Sequence, residues 1–291
     1  MTSPVSSSIG PYSPRGALPH PRTASRRRPS EGDLIPIYII SLPGAAARRE
    51  RMAAQFARLA LPYRFFDAID GRGLSREALE AAAPAHRRRY WNPLVPGEIG
   101  CALSHLAVIR TVAAAPDPYA VVLEDDVSLG EEFPRLLAAL EAGPPAFDMM
   151  WLAHVPRKKH RAVMPLGRFA DRELRARVYL DYTLAAVVYR REAAARIAAA
   201  VTVIDAPIDH MLWRNHTVPA LRAVEVHPQI VVQDMDAPST IRGRKFRALG
   251  ARARLTRERI RWSNLLRRWR SFAAAWGPTA LLRVRRASWL K

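Results

Sequence analysis

An α/β fold is what this sequence predicts, on three observations. Ile35 to Leu42 is an apolar, β-branched run, and the Pro-Gly at 43–44 then opens an Ala- and Arg-rich helix to about Leu59, the start of a strand–helix–strand unit. Tyr119 to Leu123 is a second strand of buried type, and it stops abruptly at Glu124, Asp125 and Asp126. Further strand-like runs, at 147–155, 183–189 and 224–234, alternate with helical patterns.

The chain has 291 residues, of which 49% are hydrophobic, enough to build the core of one domain flanked by tails. Its net charge of +20 divides as +3 over positions 1–33, +2 over 34–241 and +15 over 242–291. Positions 1–33 are rich in Ser, Pro and Arg and are expected to form a disordered lead; 34–241 form the domain; 242–291 form a basic tail. Cys101 is the only cysteine, which excludes an intrachain disulfide and favours a reducing compartment. No stretch approaches the ~18 apolar residues of a membrane span, and positions 1–33 lack the apolar run of a secretory signal. A soluble or peripheral cytoplasmic protein is expected.

Three adjacent carboxylates at a strand's carboxyl end fall where open α/β sheets bind ligands, and they need a cation to offset their repulsion. Mg²⁺ or Mn²⁺ suits hard oxygen donors of this kind. The competing reading is a solvated acidic turn before a helix at 131–142. At the first strand and helix, Ser41, Arg48 and Arg49 stand where a nucleotide's phosphates would meet a helix start, unless the arginines are simply an exposed helix face. A strand at 61–71 ends in Asp67 and Asp70, which would accept from a ribose or a base, or else form an Asp-Gly turn.

Residues 74–90 read as helical. In the helix at 97–110, Glu98, Cys101 and His105 make a polar stripe beside an apolar one, as at the margin of a pocket. Positions 156–177 are polar and cationic and are expected to run over the surface. Asp209 and His210 fall in the first turn of a helix after Pro207, where an acid either complements the dipole or faces the crevice as a base. Asp181 is the second candidate base, and His227, in the strand at 224–234, is a candidate third metal ligand.

In the tail, Trp262, Leu265, Leu266, Trp269, Phe272 and Trp276 share one helical face among arginines. That pattern fits the surface of an anionic bilayer, because an apolar stripe serves insertion and nucleic acid needs none. Nucleic-acid binding and a solubilising end are the other readings.

Ser-Leu at 41–42 with Arg48 and Arg49, Phe-Asp-Ala-Ile-Asp-Gly at 66–71, Gly-Glu-Ile-Gly-Cys-Ala-Leu-Ser-His at 97–105, Leu-Glu-Asp-Asp-Val at 123–127 and Pro-Ile-Asp-His at 207–210 occur in one order. Together, over roughly 35–241, they resemble glycosyltransferase family 25, which includes bacterial lipopolysaccharide or lipooligosaccharide sugar transferases and collagen galactosyltransferases. The resemblance implies a GT-A type, Rossmann-like fold and an inverting transferase that commonly uses UDP-galactose and a divalent metal. It implies that Asp126 with Glu124 binds Mn²⁺ or Mg²⁺ and that Asp125 contacts ribose or sugar, with Glu98 and His105 on the substrate side. The chain departs from the family's usual pattern at 43–47, which is less polar, and at 181–188, which is less glycine-rich. The expectation is a galactosyltransferase working on a saccharide or glycolipid acceptor such as lipopolysaccharide, held at the inner face of the membrane by its tail. The alternative is a non-catalytic membrane- or RNA-binding protein on the same fold.

Overall fold

The computed structural model describes residues 35–88, 92–153, 161–178, 183–213, 218, 220–234, 241 and 251–287. The lead at 1–33 and Asp181 lie outside the described residues. In chain order the first half runs β1 (Ile37–Ser41), α1 (Ala46–Leu59), β2 (Arg64–Asp67), α2 (Arg76–Ala82), α3 (Pro96–Ala114), β3 (Tyr119–Glu124), β4 (Val127–Leu129), α4 (Phe133–Glu141) and β5 (Met149–Trp151). The second half runs β6 (Arg161–Phe169), β7 (Arg172–Arg177), β8 (Ala186–Arg190), α5 (Arg191–Ala200), α6 (Ile208–Trp213), β9 (Ala223–His227), β10 (Val231–Gln233), α7 (Ala251–Trp276) and β11 (Arg285–Ala287).

Nine of these strands form one mixed sheet in the order β11-β6-β7-β9-β5-β8-β3-β1-β2. β1 pairs in parallel with β2 and β3, and β5 with β9, while the other neighbours are antiparallel. Side-chain alternation sends each strand's apolar residues to two cores. In β1, Ile37 and Ile39 pack with α1 and α4, whereas Tyr38 and Ile40 pack with α3, α5 and α6. In β3, Val121 and Leu123 follow the first set and Ala120 and Val122 the second. Helices therefore cover both faces, as expected of a Rossmann-like α/β fold.

Four local expectations need correcting. The acidic triplet leads into β4, which pairs with β10, and the helix begins only at Phe133. The run at 224–234 breaks at a cis His227-Pro228 bond into β9 and β10. The cationic segment at 156–177 is in its described part a β-hairpin inside the sheet, β6 paired with β7. Charge hid it: in β7 Leu174 and Ala176 point into apolar cores, while Glu173, Arg175 and Arg177 occupy the alternate positions. Beyond residue 250 the chain adds a strand to the same sheet, β11 against β6, and Phe272 of α7 is buried with Met164, Ala176 and Val178. α7 is also tied down where Ala220 N–H donates to Ser271 Oγ at 2.9 Å. The apolar stripe of α7 thus divides, with Phe272 inward and Trp262 and Leu266 65% and 62% exposed.

Candidate active site

The carboxyl ends of β1, β2 and β3 open on a cleft of about 310 Å³ between the sheet and the start of α3. Among the described residues five carboxylates line it, from Asp70, Glu124, Asp125, Asp126 and Asp234, against two guanidiniums, from Arg48 and Arg72. Both guanidiniums are already engaged: Arg48 with Asp125 at 2.9 Å and Arg72 with Asp70 at 2.7 Å.

The three acids of the triplet have different surroundings. Asp125 is buried and holds two partners, accepting from Ser41 Oγ at 2.7 Å and from Arg48 Nη1 at 2.9 Å. Ser41 is the last residue of β1, and Arg48 lies in the first turn of α1, so this acid joins both elements of the opening unit. Glu124 meets His105 of α3 across 3.1 Å between Oε1 and Nε2. With the carboxylate as acceptor the proton of that bond sits on Nε2, and the buried Nδ1 is left without a hydrogen bond. Asp126 receives only a long bond from Gln233 Nε2 at 3.3 Å, and its Oδ1 is buried with no partner. Burial first, then the charge of Glu124, pushes its pKa up to about 6. A carboxylate this poorly satisfied inside a cleft is one whose natural partner is a cation.

The backbone around the cleft is set by a close approach. A Cβ at Gly100 would lie 2.4 Å from Gly71 N and 2.5 Å from Ile69 O, so only glycine lets α3 touch the turn after β2. Ser104, one helical turn on, completes the joint by donating to Gly100 O at 2.7 Å and accepting from Ile69 N–H at 2.8 Å. This contact brings Asp70, Cys101 and His105 to one wall. The Cys101 thiol is raised well above its usual pKa by burial and by the charges of Glu124, Asp209, Glu98 and Asp126.

The structure thus gathers Ser41, Arg48, Asp70, His105 and the triplet on one cleft. Arg49 turns away from the lining to donate to Ser41 O and Leu42 O and to pair with Asp67, whose side chain is exposed. Glu98 is buried as a cap, accepting from Val95 N–H at 3.0 Å at the start of α3. Asp209 accepts from His210 N–H in the first turn of α6 and is near enough to Cys101 to act on its charge, without lining the cleft. His227 does not join the triplet: it ends β9, three strands from β3 in the sheet order and so about 14 Å away. Sequence reasoning missed Arg51, which donates to Asp125 O and pairs with Asp234, and missed Gln233 and Asp234 themselves. The signals available were Arg51 three residues after Arg48 on α1 and a polar pair closing the run Val-Val-Gln-Asp.

Residues 34–170 match the sequence model of Glycosyltransferase family 25 (LPS biosynthesis protein). The human Inactive glycosyltransferase 25 family member 3 is 32% identical over 139 residues, 45% of this chain and 23% of its own. Mouse Procollagen galactosyltransferase 2 is 31% identical over 135 residues, 44% of this chain and 22% of its own. The Lipooligosaccharide biosynthesis protein lic2B of Haemophilus influenzae is 33% identical over 103 residues, 35% of this chain and 37% of its own. The chain therefore spans less than two fifths of the length of each of these relatives. The matched stretch is the one that builds most of the cleft, and over residues 34–170 the chain is similar to glycosyltransferase family 25.

Proposed function

We propose that the chain is a metal-dependent, inverting glycosyltransferase that moves galactose from UDP-galactose onto a saccharide acceptor of the lipopolysaccharide type. The observation that carries this reading is the cleft's charge: five carboxylates face two guanidiniums that are already paired. A divalent cation bound there would offset this negative charge for an incoming nucleotide diphosphate. Among the described residues no three His, Cys, Asp or Glu side chains converge as a metal cluster. The donor set that fits is the pair Glu124 and Asp126, since Mg²⁺ and Mn²⁺ commonly take one or two protein carboxylates and complete their shell with water and phosphate oxygens. When bound there, the ion supplies positive charge for the diphosphate as it departs.

The chain's own residues do the rest. Asp125, with both oxygens committed to Ser41 and Arg48, holds the arginine at the cleft wall, where its charge favours the diphosphate. His105 fixes the orientation of Glu124 from beneath. Asp70, kept below its usual pKa chiefly by its hydrogen bonds with Arg72, stays ionised to accept from the nucleoside. Asp209, which stands behind the lining within charge range of Cys101, is the candidate base: once at the cleft it would take the proton of the acceptor hydroxyl as that oxygen attacks the anomeric carbon from the side opposite the diphosphate, which inverts the configuration. No described helix is long and apolar enough to cross a membrane, and we place the protein at the inner membrane face through the outward residues of α7.

The test is a panel of nucleotide sugars given to the purified full chain with Mn²⁺ and with a chelator. UDP-galactose turnover that the chelator abolishes is the expected result. Phosphate release in place of intact UDP would mean a phosphohydrolase, and absence of any nucleotide binding would leave a binding protein on a transferase fold.

A further inference from the structure

Beyond the cleft, the same sheet face carries a second set of charges that the proposed chemistry does not use. Alternation puts Glu124, Trp151, Glu225, His227, Glu173, Arg175 and Arg177 on the α3 side, because their immediate strand neighbours Leu123, Met150, Val226 and Leu174 all pack into the opposite core. On β9 and β7, only Ala223 joins the apolar core of the α3 side. The rest of that side is polar and buried: Arg177 is 2% and Glu225 0% exposed, and they form an ion pair beside the Trp151 ring.

Arg175 is the unbalanced member. It is 7% exposed, its Nη2 reaches Glu173 at 2.6 Å, and its Nε and Nη1 are buried without a hydrogen-bond partner. Glu173 is itself divided, because Arg285 also claims it at 3.0 Å. His227 beside it is held below its usual pKa by burial and then by the charge of Arg175. Among the described residues the guanidiniums of Arg175 and Arg285 share the one carboxylate of Glu173, and Arg175 keeps two bare donors. The two bare donors point to different sides of the guanidinium, and each can give one charge-assisted hydrogen bond to a carboxylate or phosphate oxygen.

The strip shares an edge with the cleft. His227 ends a strand parallel to β5, and Glu173 lies opposite His227 in register, both at the sheet edge where Ser41 and Glu124 also end their strands. A hydrogen-bonded path joins the two: Trp151 Nε1 donates to Thr183 O, Thr183 Oγ1 to Gln233 Oε1, and Gln233 Nε2 to Asp126 Oδ2. We infer that Arg175 marks an acceptor subsite, which binds an anionic substituent, a carboxylate or a phosphate, on the saccharide that receives the sugar. The word acceptor rests on the transferase reading, while the anion site itself does not.

The experiment titrates glucuronate, glucose 6-phosphate and glucose into the full chain by calorimetry, without donor or metal. Saturable binding of glucuronate or of glucose 6-phosphate, but not of glucose, is expected, and which of the two binds tells carboxylate from phosphate. Arg175→Gln should weaken that binding by about tenfold or more, the effect of losing a charge-assisted hydrogen bond, and Arg175→Lys should retain part of it. Wild-type protein that binds neither anion, or an Arg175→Gln variant that binds as the wild type does, overturns the site. The wild-type arm decides the matter even if the glutamine variant does not fold. UDP with Mn²⁺, titrated into the same samples, reports separately on the transferase reading and should be unaffected by either substitution.

Discussion

Among the described residues, carboxylates outnumber guanidiniums around the cleft at the β1–β3 end of the sheet five to two, whereas at the β7–β9 end the guanidiniums of Arg175, Arg177 and Arg285 stand with the carboxylates of Glu173 and Glu225. At the centre of each stands a buried polar group, Asp126 Oδ1 in the cleft and Arg175 Nε and Nη1 on β7. In the first region the charge stands only where strands end, so the strands stay apolar and helices cover them. In the second it occupies alternate positions within the strands, and the described helices leave that side polar. An unsatisfied charged group in a protein interior is costly, so Asp126 and Arg175 are the places where a partner of opposite sign would be gained. A cation with a diphosphate answers the first, and an anionic saccharide group the second.

The sharpest way to break that contrast is to remove the cation's ligand. Asp126→Ala should reduce sugar transfer by roughly a thousandfold, the scale of losing a main electrostatic stabiliser of the transition state, while far-ultraviolet circular dichroism stays native. Mn²⁺ binding followed by electron paramagnetic resonance should weaken in parallel. Full transfer by a folded Asp126→Ala protein would end the metal assignment and with it the reading of the acidic end.

How much of this was legible in the sequence differs between the same two regions. Ile37–Ser41, Tyr119–Glu124 and the helix at 96–114 were visible because their apolar residues are continuous or periodic and their charges sit at the ends. β7 was not visible, because Arg175 and Arg177 sit at buried positions of a strand and a cationic run normally signals a surface. The role of Asp125 could not be read either: its hydrogen bond with Ser41 spans 84 positions, and nothing local distinguishes it from Asp126. Gly100 was seen only as part of a motif, since its purpose is the contact with Gly71, which no periodicity reports.

That contact offers a second test, on the geometry of the acidic end. Gly100→Ala would place a methyl 2.4 Å from Gly71 N, backbone against backbone, with no flexible side chain to yield. A loss of about 2–3 kcal/mol in urea unfolding is expected, with weaker UDP binding because the displaced turn carries Asp70 into the cleft. Gly44→Ala, where a Cβ meets nothing within 4 Å, is the control and should be close to neutral.

A third test uses the titration of Asp126. Its folded pKa, about 6, lies above the ordinary aspartate value of 3.8, so the folded state prefers the protonated acid. The associated stability is fully present below about pH 4 and is lost as pH rises through 6. In metal-free protein, Asp126→Asn should therefore be more stable than wild type at pH 8, on the order of 2 kcal/mol after allowing for solvent at the cleft mouth, with the gap closing towards pH 4. Mn²⁺ should narrow the gap at pH 8 by stabilising the wild type preferentially. A variant no more stable than wild type at pH 8 would mean that the carboxylate is better satisfied than its buried, unpartnered Oδ1 indicates.

The smallest expected effect on stability belongs to the outward residues of α7, and against Phe272 it separates two uses of one apolar stripe. Phe272 is 3% exposed against Met164 and Ala176, so Phe272→Ala should cost about 3 kcal/mol or more. Trp262 and Leu266 lie on the outward stretch of the same helix at 65% and 62% exposure, so replacing both by Ser should change stability by no more than about 0.5 kcal/mol each. If that stretch meets an anionic bilayer, the double variant should nonetheless lose sedimentation with phosphatidylglycerol vesicles, since the basic residues alone hold the protein there only electrostatically. Raising the salt should then release the variant more readily than the wild type, because screening weakens charge attraction and leaves apolar insertion intact. Equal sedimentation of the two proteins across that salt series would show that Trp262 and Leu266 do not enter the membrane, and α7 would be left with its role against the sheet.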